Sequence, residues 1–393
     1  MIFSIALIII LGLIANRLFA RFNLPGLLGM IIVGIVIGPY GLDWIEPAIM
    51  RNAADIRMLA LVVILLRAGL GLEKDLLQQI GPTAIKMSFI PCLLEGFTVM
   101  GMAYWLLGLP WVEAGILGFI IAAVSPAVIV PAMLNLKAEG WGMKRGVPIL
   151  VLAGASVDDV FAITLFTAFL GMATQAGQSL AFQVAWIPVQ IIGGILLGAL
   201  LGLGLDALFR RLDLTRLEAI GLTLTGALAA LLLGKALELA GLLGVMTLGF
   251  VLLERRRDLA AQQERALNQV WFFAQIFLFI LIGAEVDLAV AWQAGLTGLV
   301  IIAAGLLART TGVMLSLRGS DLTRKERIFT AIAYTPKATV QAAIGGIPLA
   351  MGIASGATML ALAVLAVVIT ASLGAIAIQA TTPHLLERAP ETQ

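Results

Sequence analysis

Charge is scarce in this chain. Only 12% of its 393 residues are Asp, Glu, Lys or Arg, whereas 61% are hydrophobic. A soluble domain carries roughly 25% charged residues, so a soluble globular fold is excluded and an all-α polytopic membrane protein is expected. Cysteine and histidine are scarcer still, with one of each, Cys92 and His384. One cysteine excludes an internal disulfide and leaves the redox compartment open. His384 lies in the C-terminal tail, so no histidine is available inside the membrane as a proton relay or metal ligand. The net charge of +2 is segregated by loop and gives no sign of a nucleic-acid partner. Met1-Ile2-Phe3-Ser4 lacks a basic n-region, and no cleavable signal peptide is expected.

Long apolar runs are what the chain has instead. A helix crossing the hydrocarbon core needs ~20 residues. Thirteen stretches qualify, near 2–20, 24–40, 56–72, 83–107, 112–135, 146–172, 183–209, 217–237, 240–254, 267–285, 295–317, 326–350 and 356–380. With the N-terminus outside, the inside segments hold 19 of the 25 Lys and Arg. The outside segments hold only Arg51, Arg57 and Lys235, and the spans hold Arg67, Arg309 and Lys337. The positive-inside rule therefore predicts thirteen spans with the C-terminus in the cytoplasm.

Two stretches echo each other. Arg67, Glu95 and Pro126 fall on the third to fifth spans; Glu285, Arg309 and Pro336 fall on the tenth to twelfth. Six spans, a linker span and six spans place these halves in opposite orientations, an inverted repeat of the kind secondary transporters use. Proline removes a helix N–H and disfavours helix in the residue before it. Ser125-Pro126 and Thr335-Pro336 sit near mid-span, so each predicts a discontinuous helix. Unwound backbone at that depth survives only when buried in protein or lining a wet cavity.

The sixth span carries Ala155-Ser156-Val157-Asp158-Asp159, with no basic residue within ten positions of the acids. An ionised carboxylate at mid-bilayer costs roughly 2.5–3.5 kcal/mol on insertion scales. A chain that keeps two holds a cation or a proton with them. The intramembrane set is Arg67, Glu95, Asp158, Asp159, Glu285, Arg309 and Lys337, four acids against three bases. Most must pair, and one acid is left for a mobile ion. Glu95 with Arg309 occupies equivalent repeat positions, and Glu285 with Lys337 is the next natural pair. Arg67, near the inner end of its span, reads as structural. Adjacent helical residues point ~100° apart, so Asp158 and Asp159 face different neighbours. Ser156, Thr164, Thr339 and Ser125 are the nearby oxygen donors.

Together these residues carry a family likeness. Ala155-Ser156-Val157-Asp158-Asp159 resembles the paired-aspartate motif of the cation/proton antiporter superfamily. Pro336-Lys337-Ala338-Thr339-Val340-Gln341-Ala342 and Ser125-Pro126-Ala127-Val128 resemble the broken-helix motifs of its NHA branch of sodium/proton antiporters. Pro91-Cys92-Leu93-Leu94-Glu95 and Leu307-Ala308-Arg309-Thr310-Thr311 resemble the fourth and eleventh spans of that branch. The resemblance implies a NhaA-type fold of thirteen helices with two crossing broken helices. It implies a core transport domain (56–180 and 263–393), and a dimerisation part (1–55 and 181–262) that includes the linker helix. It implies a homodimer in a cell (inner) membrane, an elevator-like movement of the core, and no cofactor. It implies Asp159 as the main ion- and proton-binding carboxylate, holding Na+ transiently, with Asp158 beside it. It also implies the ion pairs Glu95–Arg309 and Glu285–Lys337. Many electrogenic relatives carry a lysine where Arg309 stands; arginine stays protonated and is no second proton carrier.

The expected activity is sodium (or lithium)/proton antiport, with potassium/proton exchange on the same fold as the alternative. An intramembrane aspartyl protease also uses two membrane aspartates, but on separate helices, whereas Asp158 and Asp159 are adjacent.

Overall fold

A computed structural model describes residues 1–22, 24–71, 82–174, 180–212 and 214–388. Every element among them is helical, apart from a single isolated bridge between Trp141 and Arg388. Among the described residues, eight helices are long and apolar enough to cross a membrane. Five of these are Ile2–Arg21 (α1), Pro82–Leu107 (α5), Val147–Thr174 (α8), Arg257–Ala284 (α12) and Leu288–Ser316 (α13). The others are Leu180–Arg211 (α9), Arg216–Ala236 (α10) and Gly356–Leu385 (α17). Shorter helices occupy the remaining expected spans: Gly26–Ile37 (α2), Ala53–Leu70 (α4) and Gly241–Arg255 (α11). The stretch at 112–135 is two helices, Trp111–Ile121 (α6) and Pro126–Ala138 (α7). The stretch at 326–350 is three, Arg324–Ala333 (α14), Thr339–Ile344 (α15) and Ile347–Ala350 (α16). A short helix, Pro47–Arg51 (α3), precedes α4. Arg57, expected in an outer loop, instead lies in α4 at 3% exposure, because that helix begins at Ala53.

The chain divides into two compact units. One comprises Met1–Ala54, Glu73–Ala162 and Ile276–Gln393; the other comprises Asp55–Leu72 and Ile163–Gln275. In the first, α5 and α13 pack side by side. Gly312 makes that approach possible: a Cβ there would fall 2.7 Å from the Cα of Pro91. Helix α17 packs against α13, α14 and α15. In the second, α9, α10 and α11 pack on one another, and a buried Gln263 amide donates to Thr223 Oγ1 at 2.9 Å.

Candidate functional site

The site is built where two helices stop. Ser125 precedes a proline and takes an extended conformation, φ −99° and ψ 109°, as its neighbour's ring demands. Helix α6 therefore ends at Ile121 and leaves carbonyls without helical partners. Side-chain donors meet the carbonyls from Ile120 to Ala123. The Gln341 amide nitrogen donates to the carbonyls of Ile120 at 3.1 Å, Ile121 at 3.3 Å and Ala123 at 2.8 Å. Arg309 Nη2 donates to the Ala122 carbonyl, and Lys337 Nζ approaches Ala123 O at 3.5 Å. Two cations thus meet the negative end of the half-helix dipole.

Pro336 imposes the second break, between α14 and α15. The two breaks bond to each other. The Ser125 N–H donates to the Pro336 carbonyl at 2.9 Å. The Thr339 N–H donates to Ser125 Oγ at 3.4 Å, and the Ser125 and Thr339 hydroxyls lie 3.4 Å apart. Thr370 on α17 accepts the Lys337 N–H at 3.0 Å.

Four fully buried charges close around this crossing. Glu95 Oε2 accepts from Lys337 Nζ at 2.9 Å and from Arg309 Nε, and Oε1 lies 2.8 Å from the same Lys337 amine as an ion pair. Arg309 also reaches Asp158, at 3.4 Å on Oδ1 and 3.3 Å on Oδ2. The Val124 N–H, inside the first break, donates to Asp158 Oδ2 at 3.1 Å. Two acids and two bases balance. Asp159 stands outside the balance at 8% exposure, and its Oδ1 has no hydrogen-bond partner among the described residues.

Of the expected pairs, Glu95 and Arg309 are in contact. Glu285 and Lys337 are not paired: the carboxylate that meets Lys337 is Glu95. The reason is local. Lys337 leaves the chain inside the break, facing α5, whereas Glu285 follows the last residue of α12 and is only half-buried. Arg67 lies 3.5 Å from Glu264, both about one-third exposed. Among the oxygen donors, Ser125 and Thr339 are buried at the crossing. Thr164, five residues beyond Asp159, points about 140° away from it on the helix. The Ser156 side chain lies outside the described residues. The prolines Pro126 and Pro336 stand at the two breaks. Gln341, Tyr334 and Thr370 were not singled out from the sequence as site residues. A lone amide in the short apolar helix α15 was the available signal for Gln341.

Known proteins share this arrangement of helices. The structure of the sodium proton antiporter MjNhaP1 from Methanocaldococcus jannaschii superposes with a TM-score of 0.82 at 21% identity, over 98% of each chain. The transmembrane profile of the sodium/hydrogen exchanger family matches residues 4–382. The chain belongs to the sodium/hydrogen exchanger family. Sodium/hydrogen exchanger 9B2 of Homo sapiens is 34% identical over 93% of this chain and 70% of its own length. The 9B2 exchanger of Xenopus tropicalis is 33% identical over 98% and 75%. Sodium/hydrogen exchanger 9B1 of Homo sapiens is 31% identical over 93% and 73%. Family membership and the apolar helices make this a multi-pass membrane protein of a transporter family. That superposition is on MjNhaP1 and not on an antiporter of the NhaA type expected from the motifs.

Proposed function

We propose that this protein exchanges sodium (or lithium) ions for protons across a membrane, at Asp159. The observation that carries the reading is the charge balance at the crossing. Glu95, Asp158, Arg309 and Lys337 neutralise one another, so one buried carboxylate remains for a mobile cation. A proton or a sodium ion, not both, then occupies Asp159. Loaded, the site is neutral and crosses the apolar barrier; empty, it is anionic and held back by desolvation. Asp158 has another task, because Val124 and Arg309 already donate to it, with a bond on each of its oxygens.

Arg309 serves as a fixed counter-charge and not as a proton carrier. With Lys337 bound to Glu95, the site offers one exchangeable position. The reading extends to thirteen crossings with the N-terminus outside, a homodimer in a cell (inner) membrane, and the NHA branch of the superfamily. It also includes elevator-like movement of 56–180 and 263–393 against 1–55 and 181–262. In proteoliposomes, Asp159→Asn should abolish sodium- and lithium-driven proton flux. Flux at the wild-type rate would sink the assignment.

A further inference from the structure

Tyr334 carries a hydroxyl that the fold does not use. The side chain is fully buried at the C-terminal end of α14, and its oxygen has no hydrogen-bond partner among the described residues. A buried polar group left unmade is costly, and phenylalanine would fill the same space without it. The oxygen rests on α8. A Cβ placed on Gly154 would lie 2.1 Å from it, so only glycine admits the phenol there. Asp158 lies four residues further along, on the same helix face. On the other side, the Arg309 guanidinium sits 5.9 Å from the ring centroid. The ring therefore lies beside Arg309 and against the face of α8 that carries Asp158. The charged and titratable groups around it are Asp158, Arg309, Asp159 and Cys92.

We propose that Tyr334 is a positioning residue for exchange. Its hydroxyl is a reserve donor to Asp158, engaged when the Val124 N–H and Asp158 part as the crossing rearranges. Asp158 then keeps a donor throughout the cycle and does not drift towards the transported ion. The inference rests on the reading of Asp159 as the carrier.

The test is Tyr334→Phe in sodium-loaded proteoliposomes, with Asp159→Asn run in parallel. Tyr334→Phe should melt at the wild-type temperature or above it. Its maximal exchange rate should fall about tenfold, the value of one hydrogen bond to a charged group, while the apparent KM for sodium stays within about twofold. A purely structural hydroxyl would lower the melting temperature and leave the rate per folded transporter unchanged, which overturns the proposal. A raised KM at unchanged maximal rate also overturns it, because the hydroxyl would then be a cation ligand. Gly154→Ala supplies an independent arm. It should slow exchange in the wild-type background and do so less in Tyr334→Phe, where the oxygen it strikes is gone; equal effects in both backgrounds overturn the geometry. Failure of the Asp159 reading shows separately, as flux that survives Asp159→Asn.

Discussion

Asp158 and Asp159 are chemically identical and adjacent, yet they sit in opposite situations. Asp158 is bonded to a backbone N–H and a guanidinium. Asp159 Oδ1 is buried with no hydrogen-bond partner among the described residues. Stability measurements should separate them. Asp158→Asn removes one charge of a buried pair and turns an amide N–H₂ towards existing donors. Breaking such a pair costs about 3–5 kcal/mol, and the remaining Glu95–Arg309 contact keeps the loss near the lower end. Asp159→Asn removes an uncompensated buried charge, so its melting temperature in detergent should be unchanged or higher. A fall for both variants would contradict the division of roles. Helical geometry alone already set the two acids about 100° apart. Which one faces Arg309 depends on the rotation of α8 against α13, which one chain's periodicity does not encode.

At the scale of elements, both breaks were legible, since proline constrains the residue before it wherever it stands. What closes the broken ends was not, because those donors arrive from 187 to 221 residues away. Gln341 is the clearest case, with one nitrogen near the carbonyls of Ile120 and Ile121 in α6 and of Ala123 beyond its end. Gln341→Ala strips donors from a buried helix end, at about 1–3 kcal/mol for each acceptor left unsatisfied. We expect a total loss of about 2–4 kcal/mol, read as a lower midpoint in detergent denaturation, since Arg309 and Lys337 still serve part of the end. Gln341→Glu should be worse, because a carboxylate would face the same carbonyls. Lys337 teaches the complementary lesson. Glu285 was expected as its partner, the next natural pair once Glu95 was given to Arg309, but a residue inside a break projects by local backbone geometry, and that carries its amine to Glu95.

For the whole molecule, apolar run length located the helices well, and loop charge supplied an orientation that thiol labelling can test. Cys92 is buried, which makes the wild-type chain a quiet background for a membrane-impermeant maleimide. In intact cells Lys235→Cys should label, and Arg318→Cys should label only after the membrane is opened. The reverse pattern would invert the N-out assignment. Helix length did not reveal the two compact units, because they interleave along the chain: α8 and α12 each run through both.

The bond from the Ser125 N–H to the Pro336 carbonyl has a mechanical consequence. It works as a rivet where two rods cross, with the Ser125–Thr339 contacts as a second fastening. A rod cut in the middle is ordinarily a hinge, free to bend at the cut. Here each cut is fastened to the other, so a half-helix cannot swing without dragging its counterpart. The weakest places in the two helices are tied to each other, so a shift at either break is passed on to the other.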